Sequence, residues 1–145
     1  MSRGRLRWFI IIGISIMGLA ATFRLYDFLT NLADPILIET LLRERVSKLP
    51  IVTSASLFWA AVQLLMEGLV GLLLIVSSLL LVMGKERLGL GLGSTALLVS
   101  LVGVNLIQFY IDQFATILKA IIQFLILQSM YYYQRRFNVK YPAHQ

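Results

Sequence analysis

LFWAAVQLLMEGLVGLLLIVSSLLLVM, residues 57–83, holds a single charged side chain, Glu67, in a run of 27 residues. A helix needs about 20 apolar residues to cross the hydrocarbon core, where no water is present to bond free backbone groups. The stretch therefore predicts a transmembrane helix. Working outward, residues 8–28, 88–111 and 114–133 meet the same test. From Leu88 onward the apolar run is too long for one span, so the chain must reverse near Asp112-Gln113. The expectation is an all-α, polytopic membrane four-helix bundle, with residues 1–145 as a single membrane domain.

Composition agrees. Of the 145 residues, 59% are hydrophobic and only 14% charged, and the mean hydropathy is +0.83, outside the range of soluble domains. Net charge is +6, yet the thirteen Lys and Arg residues sit at the ends of apolar stretches rather than along a stripe, so we expect no nucleic-acid partner. The chain has no cysteine, which excludes disulfides, thiolate metal sites and cysteine nucleophiles. Arg3, Arg5 and Arg7 before an apolar run could open a signal peptide. However, the run continues past Ala21 into Phe23, Leu25 and Phe28 without a small-x-small end, and we read it as a span.

Basic residues orient the bundle. In a four-span arrangement Arg3, Arg5, Arg7, Lys85, Arg87, Arg135, Arg136 and Lys140 share one side. On the other side Arg24, Arg43, Arg45 and Lys48 are offset by Asp27, Asp34, Glu39 and Glu44. Both termini are then expected on the cytoplasmic side, or the stroma-like side of an internal membrane. Arg24 falls late in the first span, where its stem can snorkel toward headgroups. Arg135, Arg136 and Lys140 would meet anionic lipid or an acidic partner surface. Trp8, Phe9, Phe58, Trp59, Phe109, Tyr110 and Tyr131-Tyr132-Tyr133 lie near the expected boundaries, as an aromatic belt would.

Between the first two spans, Asp34-Pro35 offers an N-cap followed by proline at the first helical position. Ile38, Leu41, Leu42 and Val46 then recur at helical spacing. The pattern predicts a short amphipathic interfacial helix over residues 35–48, serving either as packing over the bundle mouth or as a partner's docking surface. Residues 88–93, LGLGLG, lack the Lys-Ser/Thr of a phosphate loop, and Gly89 and Gly93 instead form a small-xxx-small pair for close helix packing.

Polar residues inside the spans carry the most information, because each needs a partner away from water. At about 1.5 Å per residue from the outer ends, Glu67 and Gln123 reach similar depths, with Gln63, Asn105 and Lys119 about a turn further out. Gln63 and Glu67 are four apart, as are Lys119 and Gln123, so each pair shares a face. The expectation is an intramembrane polar layer of Gln63, Glu67, Asn105, Lys119 and Gln123. Within it Glu67 pairs with Lys119, assisted by Gln123 or Asn105. Such a layer serves either as interhelical glue or as a working site in which Glu67 carries protons or binds a polar ligand.

His144, in the tail, is the only histidine, so no histidine-ligated haem or metal is expected inside the membrane. Any cofactor stays open: chlorophyll held through water, Glu67, Asn105 or a glutamine, and carotenoid, quinone or lipid at helix interfaces, are compatible with the composition. No catalytic constellation is present, and we expect no enzyme.

The stretches Phe58-Trp59-Ala60-Ala61, Met66-Glu67-Gly68 and Gly84-Lys85-Glu86-Arg87-Leu88-Gly89-Leu90-Gly91 resemble small four-helix membrane proteins of cyanobacteria. The outline is also similar to that of DoxX-like four-helix proteins. The cyanobacterial resemblance implies a thylakoid or plasma membrane and association with photosynthetic complexes, photosystems included, or with their assembly. The functional expectation is a non-enzymatic accessory or assembly subunit of a larger membrane complex. Its alternative is a small proton-coupled transporter using Glu67.

Overall fold

The computed structural model describes residues 2–137, and within them the chain is all-helical. Four helices are long and apolar enough to cross a membrane: α1 (Arg3–Thr30), α3 (Ser54–Val82), α4 (Glu86–Ile111) and α5 (Gln113–Arg136). A shorter helix, α2 (Pro35–Arg45), lies between α1 and α3. Ser2, Asp34, Thr53 and Asp112 cap α1, α2, α3 and α5 by accepting backbone N–H groups of the first turn. At its other end α3 closes in a Schellman turn. Gly84 takes φ +84°, the N–H of Lys85 donates to the Leu80 carbonyl at 2.9 Å, and that of Gly84 donates to Leu81 at 3.1 Å.

Short connections make α3, α4 and α5 run up and down beside one another, and α1 packs chiefly along α3. Small residues permit that contact. A β-carbon on Gly18 would lie 2.8 Å from the Gly71 carbonyl oxygen, and one on Gly71 would lie 2.9 Å from the Gly18 oxygen. Ser15 donates across the same interface to Ser78 at 2.9 Å. The Gly89/Gly93 pair serves α3 and α4 in the same manner: a β-carbon on Gly93 would strike Ser77, whose hydroxyl donates to the Gly89 carbonyl at 2.6 Å.

Two apolar clusters lie at opposite ends. Near the chain termini Ile10, Ile14, Leu74, Leu90, Leu97 and Met130 are buried together. At the other end α2 folds over the bundle mouth and inserts Leu42 and Val46 among Phe28, Ala60, Leu64 and Ile111. Residues 35–48 thus pack over the mouth through Leu42 and Val46, and the helix ends at Arg45 rather than at Lys48.

The terminal end is tied by a second device. Tyr133 is buried, and its hydroxyl donates to Glu86 at 2.6 Å and accepts from Arg3 Nε at 3.1 Å. Arg3 also pairs with Glu86 at 2.7 Å. The starts of α1 and α4 and the end of α5 are thereby held together. Tyr133 thus departs from the expected aromatic belt, while its neighbours Tyr131 and Tyr132 are exposed, because its phenol has two partners indoors.

Candidate functional site

A buried polar layer separates the two apolar clusters. Its centre is Glu67, one turn beyond Gln63 on α3, with only 8% of its side chain exposed. Lys119 on α5 reaches its carboxylate at 3.1 Å and donates to Gln108 of α4 at 2.7 Å. Arg24 of α1 approaches the same carboxylate oxygen at 3.4 Å, but half of its side chain faces outward. Gln63 donates to the other carboxylate oxygen and accepts from Arg45, which α2 swings in from the bundle mouth. Burial pushes the Arg45 guanidinium below its ordinary value, while the Glu67 charge pulls it back up and Arg24 pushes it down.

Asn105 and Gln123 form a second network beside the first. Asn105 donates to Gln123 at 2.8 Å, and Gln123 donates to Ser100 at 2.7 Å. The backbone makes this possible through a π-helical turn, Ser100–Val104, in which the N–H of Asn105 bonds to the carbonyl of Ser100. The wider turn presents both ends of the segment to Gln123.

All five residues expected in the layer are therefore buried or half-buried within it, and the Glu67–Lys119 pair is present. The expected assistants differ. Gln63 and Gln108 support the ion pair, whereas Gln123 and Asn105 bond to each other and to Ser100. The sequence reading places neither arginine in the layer. Arg24, expected to reach toward headgroups, is half exposed and also approaches Glu67, whereas Arg45 is carried inward by α2. Asp112, on the face of Asn105 and Gln108, stays outside the layer and pairs with Lys48 at 3.0 Å.

Glu67 itself helps to line a cavity of about 300 Å³, with Arg24, Lys119, Gln108 and Gln123 at its polar end and Ile16, Met17 and Leu74 elsewhere. Among the described residues no group of three or more His, Cys, Asp or Glu is placed to hold a metal ion.

Another polar residue lies on the outside. Gln128 of α5 is exposed in line with Ile121, Phe124, Leu125, Tyr131 and Tyr132, and no described residue hydrogen-bonds its side chain. Its spacing from that stripe was legible in the sequence, but the direction of the stripe was not. Arg135 and Arg136 are exposed at the end of α5, where they lie over the rings of Tyr131 and Phe137. Lys140 lies outside the described residues.

What the fold and these networks define is an all-helical protein with four potential membrane spans around a buried ionic layer. In comparisons with protein-family models, curated proteins and solved structures, nothing matches the chain.

Proposed function

We propose that the chain is a multi-pass membrane protein that acts as a non-enzymatic accessory or assembly subunit of a larger membrane complex. The observation that carries this reading is the outer face of α5. Only 22% of its most apolar window is buried, the lowest share among the four long helices, and Gln128 stands uncompensated in the middle of the open face. Facing hydrocarbon, an amide with no partner is costly, and a neighbouring helix that bonds to it removes the cost. In this reading α2 rests at the outer interface, and the basic side bearing Arg3, Arg87 and Arg135 faces the cytoplasm.

Fixed polar glue also fits the layer better than a proton carrier does. The Glu67 carboxylate is engaged by Lys119, Arg24 and Gln63, and a group with three partners must break contacts to move a proton. The photosynthetic version has the cyanobacterial resemblance behind it, which makes a photosystem or its assembly intermediate in a thylakoid membrane the first complex to search.

The test is capture of the tagged full chain from its native membrane in mild detergent, with wild type and Gln128→Leu compared by mass spectrometry. A stoichiometric set of partner subunits that is lost in the leucine variant supports the role. Identical recovery with both, or a homogeneous chain without partners, overturns it.

A further inference from the structure

The polar layer is out of charge balance. Arg24 and Lys119 share one cavity with a single carboxylate, Glu67, which leaves an excess of one positive charge there. Asp27 and Glu44 are exposed and line a separate cavity of about 320 Å³, shared with Arg24 and Arg45. Toward the bundle, Arg24 and Lys119 face the 300 Å³ cavity with Glu67, Gln108 and Gln123 beside them, and the rest of its wall is largely apolar. A cationic end on an apolar cleft is the shape of a site for a molecule with an anionic head and a hydrocarbon tail.

We propose that this cavity binds one anionic amphiphile, its carboxylate or phosphate head between Arg24 and Lys119 and its tail along Ile16, Met17 and Ile122. Depth fits the assignment. Arg24 and Lys119 each lie about 9 Å in from the outer end of their helices at 1.5 Å per residue. With α1 about 42 Å and α5 about 36 Å long, each centred on a hydrocarbon core of about 30 Å, Arg24 stands about 3 Å and Lys119 about 6 Å inside the headgroup boundary. Ile16 is about 12 Å deeper than Arg24 on the same helix. Access fits as well. Ile16 and Ile122 are exposed at the rim, so the cleft opens sideways between α1 and α5, toward the surrounding lipid. Ala20, Ala21 and Gly71 leave the room that larger side chains would fill. The volume is at the lower end for ligand cavities, which suits a head and the first part of a tail.

Charge decides the class. A neutral or cationic lipid leaves the excess uncompensated, whereas an anion accepts charge-assisted bonds from Lys119 and Arg24. The apolar wall selects against a free inorganic anion, which could use only the polar end.

This inference rests on the membrane setting proposed above but not on the accessory role, because it is tested on the isolated full chain in neutral detergent. The probes are phosphatidylglycerol, palmitate, phosphatidylcholine and inorganic phosphate, with binding read by native mass spectrometry and by the shift in unfolding temperature. One phosphatidylglycerol or one palmitate per chain is expected, at least about tenfold tighter than phosphatidylcholine. Whichever of the two binds tighter names the head as phosphate or carboxylate, and either result upholds the site. Arg24→Gln should weaken binding by about tenfold or more, since a charged hydrogen bond is lost. Ala20→Phe, which fills the cleft without touching a charge, should do the same, and it guards against a charge variant that fails to fold. Equal affinity for phosphatidylcholine, competition by inorganic phosphate at matching concentration, or full affinity in both variants would overturn the proposal.

Discussion

Lys119 Nζ lies 3.1 Å from Glu67 Oε1, and this contact joins α5 to α3 across a layer in which both side chains are mostly buried. Removing one partner leaves a charge without its closest counter-ion, which in buried pairs costs about 3–5 kcal/mol. The half-exposed Arg24 is a weaker substitute, because a solvent-facing pair contributes no more than about 1 kcal/mol. Lys119→Met should therefore destabilise the chain by about 3 kcal/mol or more in detergent unfolding titrations. Glu67→Gln should cost at least as much, because it removes the carboxylate that Lys119, Arg24 and Gln63 share. A single variant as stable as wild type would show that the pair is not the fastening it is taken for.

At the opposite end Tyr133→Phe keeps the ring and removes only the hydroxyl that donates to Glu86 and accepts from Arg3. A bond to a charged group is worth about 1.5–3 kcal/mol, so the variant should lose stability within that range. Amide exchange in the first turn of α1 should also accelerate, since Arg3 then keeps Glu86 without the phenol. Unchanged exchange there would mean that the salt bridge alone holds the end.

The four long helices were legible because their apolar runs end at charges or caps: Gly84-Lys85-Glu86-Arg87 between α3 and α4, and Asp112 between α4 and α5. Buried polar residues were legible by depth, since Gln63, Glu67, Lys119 and Gln123 interrupt otherwise apolar helices. Arg45 was not, because its place depends on α2 folding back over the mouth, and hydrophobic spacing within α2 does not specify that angle. Tyr133 was hidden for a similar reason. Three consecutive tyrosines point in three directions, and only the packed bundle determines which one meets Arg3 and Glu86. The π-helical turn at Ser100–Val104 left no trace, because a segment apolar on most sides shows no break in periodicity when one turn widens.

The Gly18–Gly71 crossing offers a steric test. A β-carbon on Gly71 would meet the Ala21 β-carbon at 2.8 Å as well as the Gly18 oxygen, and backbone cannot move aside as a flexible side chain can. Gly71→Val should cost about 1–3 kcal/mol or more through overpacking. Gly103→Ala is the contrasting case, with nothing within 4 Å of the added carbon. It should be neutral or stabilising by up to about 1 kcal/mol, because alanine is the better helix former. Equal losses in both variants, read by thermal unfolding, would remove close approach as the reason for glycine at position 71.

Asp112 predicts a pH dependence with a definite sign. The Lys48 ammonium, through its hydrogen bond at 3.0 Å, holds this carboxyl below its ordinary value of 3.8, and the N–H of Ala115 adds to the effect. A carboxyl whose folded value is depressed binds its proton more readily in the unfolded chain, so acid favours unfolding. The stabilisation is fully present above the ordinary value and is lost as pH falls from there through the folded value. Because the Lys48 side chain is 63% exposed, the amount should stay below about 1 kcal/mol and shrink in salt. Lys48→Met should flatten this acid limb, while Asp112→Asn should abolish it and still cap α5 through its amide oxygen. Stability measured from about pH 6 down to pH 2 checks the sign: an acid limb in Lys48→Met as steep as in wild type would assign the effect to other carboxylates.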